Sequence, residues 1–80
     1  MVLNKDNMNI SQRVRENFEA IRVQRRIRMR EVAEWSGLSL SFINKFKSGD
    51  RNMTLDNAAK LASAFDMTLV GLIQWRGHDH

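Results

Sequence analysis

No proline interrupts the 80 residues, and the first glycine is Gly37. Proline removes a backbone N–H and glycine adds backbone freedom, so these two residues are the strongest local punctuation a chain has. The four glycines, Gly37, Gly49, Gly71 and Gly77, all fall in the second half or close to it. Such a composition favours helices, leaves glycine to punctuate them, and gives the first 36 residues neither common breaker. No segment alternates apolar and polar residues with period two for long enough to make a sheet. The predicted fold class is all-α.

Eighty residues make one domain, and a domain this small buries a limited share of its surface. Cysteine is absent, so neither a disulfide framework nor a thiolate metal site supports it. No run of about 18 apolar residues exists, so no membrane-spanning segment is expected. The polar stretch Met1–Ile10 lacks the apolar centre of a signal peptide. A cytoplasmic, nucleoid-associated location is the expectation. The net charge is +4, and its distribution is uneven. Ser11 to Arg51 holds ten basic residues against five acidic ones, while the remainder holds three against four. A concentrated excess of Lys and Arg favours a polyanionic partner, because neutralising phosphates releases condensed counterions.

Residues 1–10 read as an N-terminal arm, 11–76 as the folded domain and 77–80 as a flexible tail. Ile10, Val14, Phe18 and Ile21 fall 4, 4 and 3 residues apart, the apolar stripe of a first helix from about Ser11, its predicted N-cap, to Gln24. A second helix is predicted from Met29 to Ser36, with Val32 and Ala33 inward and Gly37 as its stop. Ser39 caps a third helix closed by Gly49, with Leu38 packing on Ile43 as a hydrophobic staple. Thr54 caps a fourth, reaching about Phe65, and Thr68 caps a short fifth carrying Leu69, Leu72 and Ile73.

The segment that carries chemistry is 29–48, two short helices joined by Gly37-Leu38-Ser39, the layout of a helix-turn-helix unit. At about 100° per residue, Ile43 and Phe46 of its second helix point inward, while Leu40, Ser41, Asn44 and Lys45 fill the opposite arc. Those side chains match what a DNA major groove displays: Lys45 suits guanine acceptors, Asn44 suits adenine, Ser41 donates or accepts, and Leu40 suits a thymine methyl. Candidate phosphate contacts are Arg28 and Arg30 at the start of the second helix, Ser39 at the turn, and Arg51 and Asn52 beyond the third. Arg25 and Arg26 extend the same basic surface.

The sequence resembles the Cro and phage-repressor (XRE) family of helix-turn-helix proteins. The resemblance runs from about Val14 to Ile73 and rests on ordered fragments. These are Val14-Arg15-x-x-Phe18, Glu31-Val32-Ala33-Glu34, Ser36-Gly37-Leu38-Ser39, Ile43, Phe46, Ser48-Gly49, Arg51-Asn52, Thr54-Leu55 and Lys60-Leu61-Ala62-x-Ala64-Phe65. It implies a compact five-helix, lambda-repressor-like domain that binds a palindromic operator as a dimer, with bases read by Leu40, Ser41 and Lys45. It also implies dimerisation through the fifth helix, which nominates Met67, Leu69, Leu72, Ile73 and Trp75. Three positions depart from the family pattern. Met29 stands where a clamping Gln is frequent, with Arg28 or Arg30 as its substitute. Lys47 stands where an acidic partner for a first-helix cation is frequent, so it would face Arg22. Phe42 replaces a small polar residue and is expected to be either partly buried beside Phe46, the favoured reading, or packed on a thymine methyl.

The function expected is a DNA-binding transcriptional regulator of the Cro, repressor or restriction–modification controller kind. At this length no ligand-binding or self-cleaving domain is expected, so control would come from dimerisation and concentration. An alternative is an antitoxin or protein-interaction module on the same fold, with Trp35 on the outer side of the second helix as a contact. No cofactor and no catalytic residues are expected, because the chain holds no nucleophile–base set and no phosphate loop. His78, Asp79 and His80 in the tail are expected to be solvated rather than to hold a metal.

Overall fold

The computed structural model describes residues 3–77, with side chains from residue 10 onward. These form α1 (Leu3–Gln24), α2 (Met29–Ser36), α3 (Leu40–Lys47), α4 (Leu55–Ala64) and α5 (Leu69–Gln74), with no strand among the described residues. The all-α, five-helix expectation is met. α1 starts earlier than predicted, so Ser11 is an interior helical residue and not an N-cap. Nothing from Leu3 to Gln24 breaks a helix, and extending an existing helix is far easier than nucleating a new one. The part of the expected arm from Leu3 onward therefore continues α1. His78, Asp79 and His80 lie outside the described residues.

The predicted caps of the later helices form as hydrogen bonds. Ser39 Oγ accepts from the Phe42 amide at 3.1 Å, Thr54 Oγ1 from the Asn57 amide at 3.1 Å, and Thr68 Oγ1 from the Gly71 amide at 3.0 Å. Each satisfies one donor that the first turn leaves without an intrahelical partner. α2 is capped differently. The Glu31 carboxylate reaches back to accept from the Arg28 amide at 2.9 Å, the return half of a capping box.

Two helix ends bend through left-handed residues that are not glycine, Arg26 (φ 57°) and Asp66 (φ 62°). After α1, the Arg26 amide donates to the Val23 carbonyl at 3.1 Å and the Ile27 amide to the Arg22 carbonyl at 2.9 Å, a Schellman turn. The Asp66 and Met67 amides repeat the pattern on Ser63 and Ala62. The Cβ of Arg26 is strained in this conformation, where glycine has none. Arg26→Gly is therefore expected to stabilise the domain by about 0.5–1 kcal/mol, the relief of left-handed strain less the extra entropy of glycine in the unfolded chain. A higher urea midpoint with an unchanged slope would bear this out, and a lower one would show that the Arg26 side chain has a stabilising contact.

All five helices contribute to one core. Val14, Phe18 and Ile21 come from α1, Val32 from α2, Ile43 and Phe46 from α3, Leu61 and Ala62 from α4, and Leu72 from α5, with Phe65 at the α4 terminus. Phe18 lies between Phe46 and Phe65, with ring centroids 6.3 and 6.1 Å away and both pairs tilted, an arrangement that favours aromatic pairs. Side chains of α1 also bind the ends of other helices. Asn17 Nδ2 donates to the carbonyls of Leu72 (2.8 Å), Ile73 (3.3 Å) and Trp75 (3.1 Å), closing the end of α5. Just beyond α1, Arg25 Nη1 donates to the Phe65 carbonyl at 2.8 Å, closing the end of α4.

Candidate nucleic-acid interface

The turn between α2 and α3 sets the angle of the candidate reading helix. Gly37 adopts φ 81°, and its amide donates to the Ala33 carbonyl at 3.0 Å. Any residue with a Cβ is strained there, so glycine is the natural end for α2. Ser36 is buried. Its hydroxyl donates to the Ala33 carbonyl at 3.3 Å and accepts from the Leu38 amide at 3.1 Å, so both groups are paired. Leu38 is partly buried and packs against the core cluster, of which Ile43 is a member.

α3 has one inward face and one outward face. Ile43 and Phe46 are fully buried, whereas Leu40, Ser41, Asn44 and Lys45 are exposed. Phe42 is partly buried against the core, and the Arg51 guanidinium lies 5.9 Å from its ring centroid. Arg28, Arg30, Ser39, Arg51 and Asn52 are exposed, on the turns and first residues that flank α3. Ser39 already accepts from the Phe42 amide, yet its own O–H remains free to donate. Met29 is partly buried and packs on the core. Arg25 is exposed, and its Nη1 donates to the Phe65 carbonyl at 2.8 Å.

The like-charged pair expected at Arg22 and Lys47 is resolved by Glu19. The Glu19 carboxylate takes a two-pronged bond from Arg22, at 3.0 Å from Nε and 2.6 Å from Nη2, and lies 3.6 Å from Lys47 Nζ. Arg22 Nη1 spans further to the Ile27 carbonyl at 2.9 Å. One carboxylate thus joins α1 to the end of α3. The signal was present in the sequence as an acid one turn ahead of Arg22, but its second partner is visible only in three dimensions.

The hydrogen bonds from Arg22 hold the Glu19 carboxyl below its ordinary value of 4.5, against the opposing effect of burial, and the charges of Arg22 and Lys47 add to the lowering. A depressed carboxylate contributes stability above the unfolded pKa, and that contribution is lost as pH falls through the folded value. Wild-type stability is therefore expected to drop as pH falls below about 4.5, and Glu19→Gln to flatten that segment of the curve. Urea midpoints taken across acid pH test this, and parallel curves for the two proteins would count against it.

The expected dimer residues divide. Leu72 is 0% exposed and belongs to the monomer core, so it has no surface to offer and is removed from the set. Its apolar side chain closes α5 onto α1 and α4. Met67, Leu69, Ile73 and Trp75 are partly exposed. Val70 (59% exposed) and Leu55 (69% exposed) are further exposed apolar residues. An apolar cleft of about 320 Å³ opens among Ile10, Met53, Leu55, Leu69 and Ile73. Trp35 is 50% exposed on α2. No helix among the described residues is long and apolar enough to cross a membrane, and no group of candidate metal ligands occurs among them.

Two short helices at a glycine turn, the second with an exposed polar face over a buried apolar one, define a helix-turn-helix domain. The helix-turn-helix family model matches residues 18–72, and the chain belongs to this Cro/C1-type (XRE) family of DNA-binding regulators. A comparison with curated proteins finds no match.

Proposed function

We propose that this chain is a sequence-specific transcriptional regulator that reads a palindromic operator as a homodimer in the cytoplasm, with α3 in the major groove. The observation that carries this reading is the division of α3: Ile43 and Phe46 seal its inner face, and Leu40, Ser41, Asn44 and Lys45 stand free on the outer one. In this reading Lys45 donates to guanine, Asn44 pairs with adenine, Ser41 serves either, and Leu40 meets a thymine methyl. Arg28, Arg30, Ser39, Arg51 and Asn52 hold phosphates and fix the register. The two-fold contact uses Met67, Leu69, Ile73 and Trp75, with Leu55 and Val70 added for their exposed apolar surface.

The test is selection from a random duplex library at two salt concentrations. A palindromic consensus is expected. Lys45→Ala should cost about 1–3 kcal/mol on that consensus and relax one position per half-site. Arg30→Ala should weaken binding to all sequences alike and make the salt dependence shallower. Sequence-blind binding that vanishes at higher salt would overturn base reading. The domain would then be better read as a scaffold for a protein partner, with the half-exposed Trp35 as the contact to mutate first.

A further inference from the structure

α3 is only eight residues long, a rod of about 12 Å. Its first turn is held by the Ser39 cap and the packing of Leu38. Its far end is held to α1 by Arg15, beside the Glu19–Lys47 contact. Arg15 Nε donates to the Phe46 carbonyl at 2.6 Å, Arg15 Nη2 donates to the Arg51 carbonyl at 3.5 Å, and the guanidinium carbon lies 4.8 Å from the Phe46 ring centroid. The Phe46 carbonyl also accepts from the Gly49 amide, and the Asp50 and Arg51 amides both donate to the Lys45 carbonyl. The guanidinium therefore grips the terminal turn of α3 and the loop that follows it, from one fixed point on α1.

We propose that Arg15 is a positioning residue for base recognition, setting the pitch at which α3 presents Asn44 and Lys45 to DNA. The proposal rests on the reading of α3 as the base-reading helix. Hydrogen bonds to base edges work over a few tenths of an ångström, so a small tilt of so short a helix removes them. Phosphate contacts from flexible Arg and Lys stems tolerate the same tilt. Arg15 places two of its five N–H donors on carbonyls and its face on an aromatic ring, so its effect passes through α3. A planar guanidinium suits this geometry because it reaches two acceptors while stacking, which a lysine ammonium cannot do.

The experiment compares the full chain with Arg15→Lys and Arg15→Met. Each is assayed on the selected operator and on a scrambled duplex of equal length, over a series of salt concentrations, at a temperature where circular dichroism shows all three folded. Amide exchange in the free proteins is followed at Asp50 and Arg51. The ratio of operator to scrambled affinity is expected to fall about tenfold in Arg15→Met and by less in Arg15→Lys, with one salt slope for all three. Exchange at the two amides should rise in the same order. A parallel loss on both duplexes, with a slope shallower by about one, would make Arg15 a phosphate contact and overturn the proposal. An unchanged ratio with only a lower melting temperature would reduce Arg15 to a stabilising residue. If the wild-type chain selects no sequence, it is the reading of α3 that fails, and the exchange rates still decide whether Arg15 holds its terminal turn.

Discussion

Phe18→Ala is expected to remove about 3–5 kcal/mol of stability, the largest single loss available in this domain. Phe18 is fully buried and is the ring that touches both other buried phenylalanines, so truncation leaves a cavity bounded by Phe46 and Phe65. Those rings come from α3 and the end of α4, whose positions are fixed by other bonds, so the space cannot readily collapse. An 80-residue domain has roughly 4–12 kcal/mol of stability at the usual 0.05–0.15 per residue. The variant should therefore be populated as a partly unfolded chain under conditions where the wild type is intact. Urea unfolding followed by circular dichroism gives the number. Phe18→Leu, which refills much of the volume, should lose clearly less. A loss below about 1 kcal/mol for the alanine variant would mean that the packing around Phe18 relaxes freely and that the three rings are not the centre of the fold.

The second large effect is expected at Asn17, and it is polar. Its single amide nitrogen serves the carbonyls of Leu72, Ile73 and Trp75 at and just beyond the end of α5, where the Leu72 carbonyl also accepts from the Trp75 amide at 3.4 Å. Asn17→Ala should cost about 1–3 kcal/mol, because part-buried carbonyls are left without a donor. Asn17→Asp is nearly the same shape and should nevertheless be the worse of the two. An ionised carboxylate only accepts, so it would face three acceptors across the distance where a donor is needed. The penalty should shrink in acid, where a protonated carboxyl regains an O–H to donate. Melting temperatures of the two variants across pH make the comparison. A milder effect of the aspartate than of the alanine at neutral pH would show that the three carbonyls find water instead. Either variant should also loosen α5 against α1, and with it the surface assigned to the dimer, so its dimer affinity is worth measuring alongside.

Much of the fold was legible in the sequence because helix boundaries here are written in local chemistry. Ser39, Thr54 and Thr68 cap the helices they were expected to cap, and Gly37 ends α2, since each needs only its own backbone neighbours to do so. The periodic stripe of Val14, Phe18 and Ile21 and the inward pair Ile43 and Phe46 are likewise properties of a single helix. The start of α1 was not legible, because a polar stretch without a breaker carries no signal for where a helix begins. Leu72 was assigned to a partner because an apolar residue on a short helix looks the same whether it faces its own core or another subunit.

The candidate site divides along the same line. Which residues of α3 face outward follows from 100° per residue, so Leu40, Ser41, Asn44 and Lys45 needed no coordinates. Long side chains behave otherwise, since an arginine or glutamate can reach partners on any element packed nearby. The sequence alone determined that this chain makes capped helices with one apolar face each, and that two of them meet at a glycine turn. Only the tertiary structure decided that Glu19 joins Arg22 to Lys47, that Arg25 and Asn17 close the ends of α4 and α5, and that Arg15 holds α3. Apart from the local Glu19–Arg22 pair, those bonds span tens of residues, and their geometry exists only once the helices have packed.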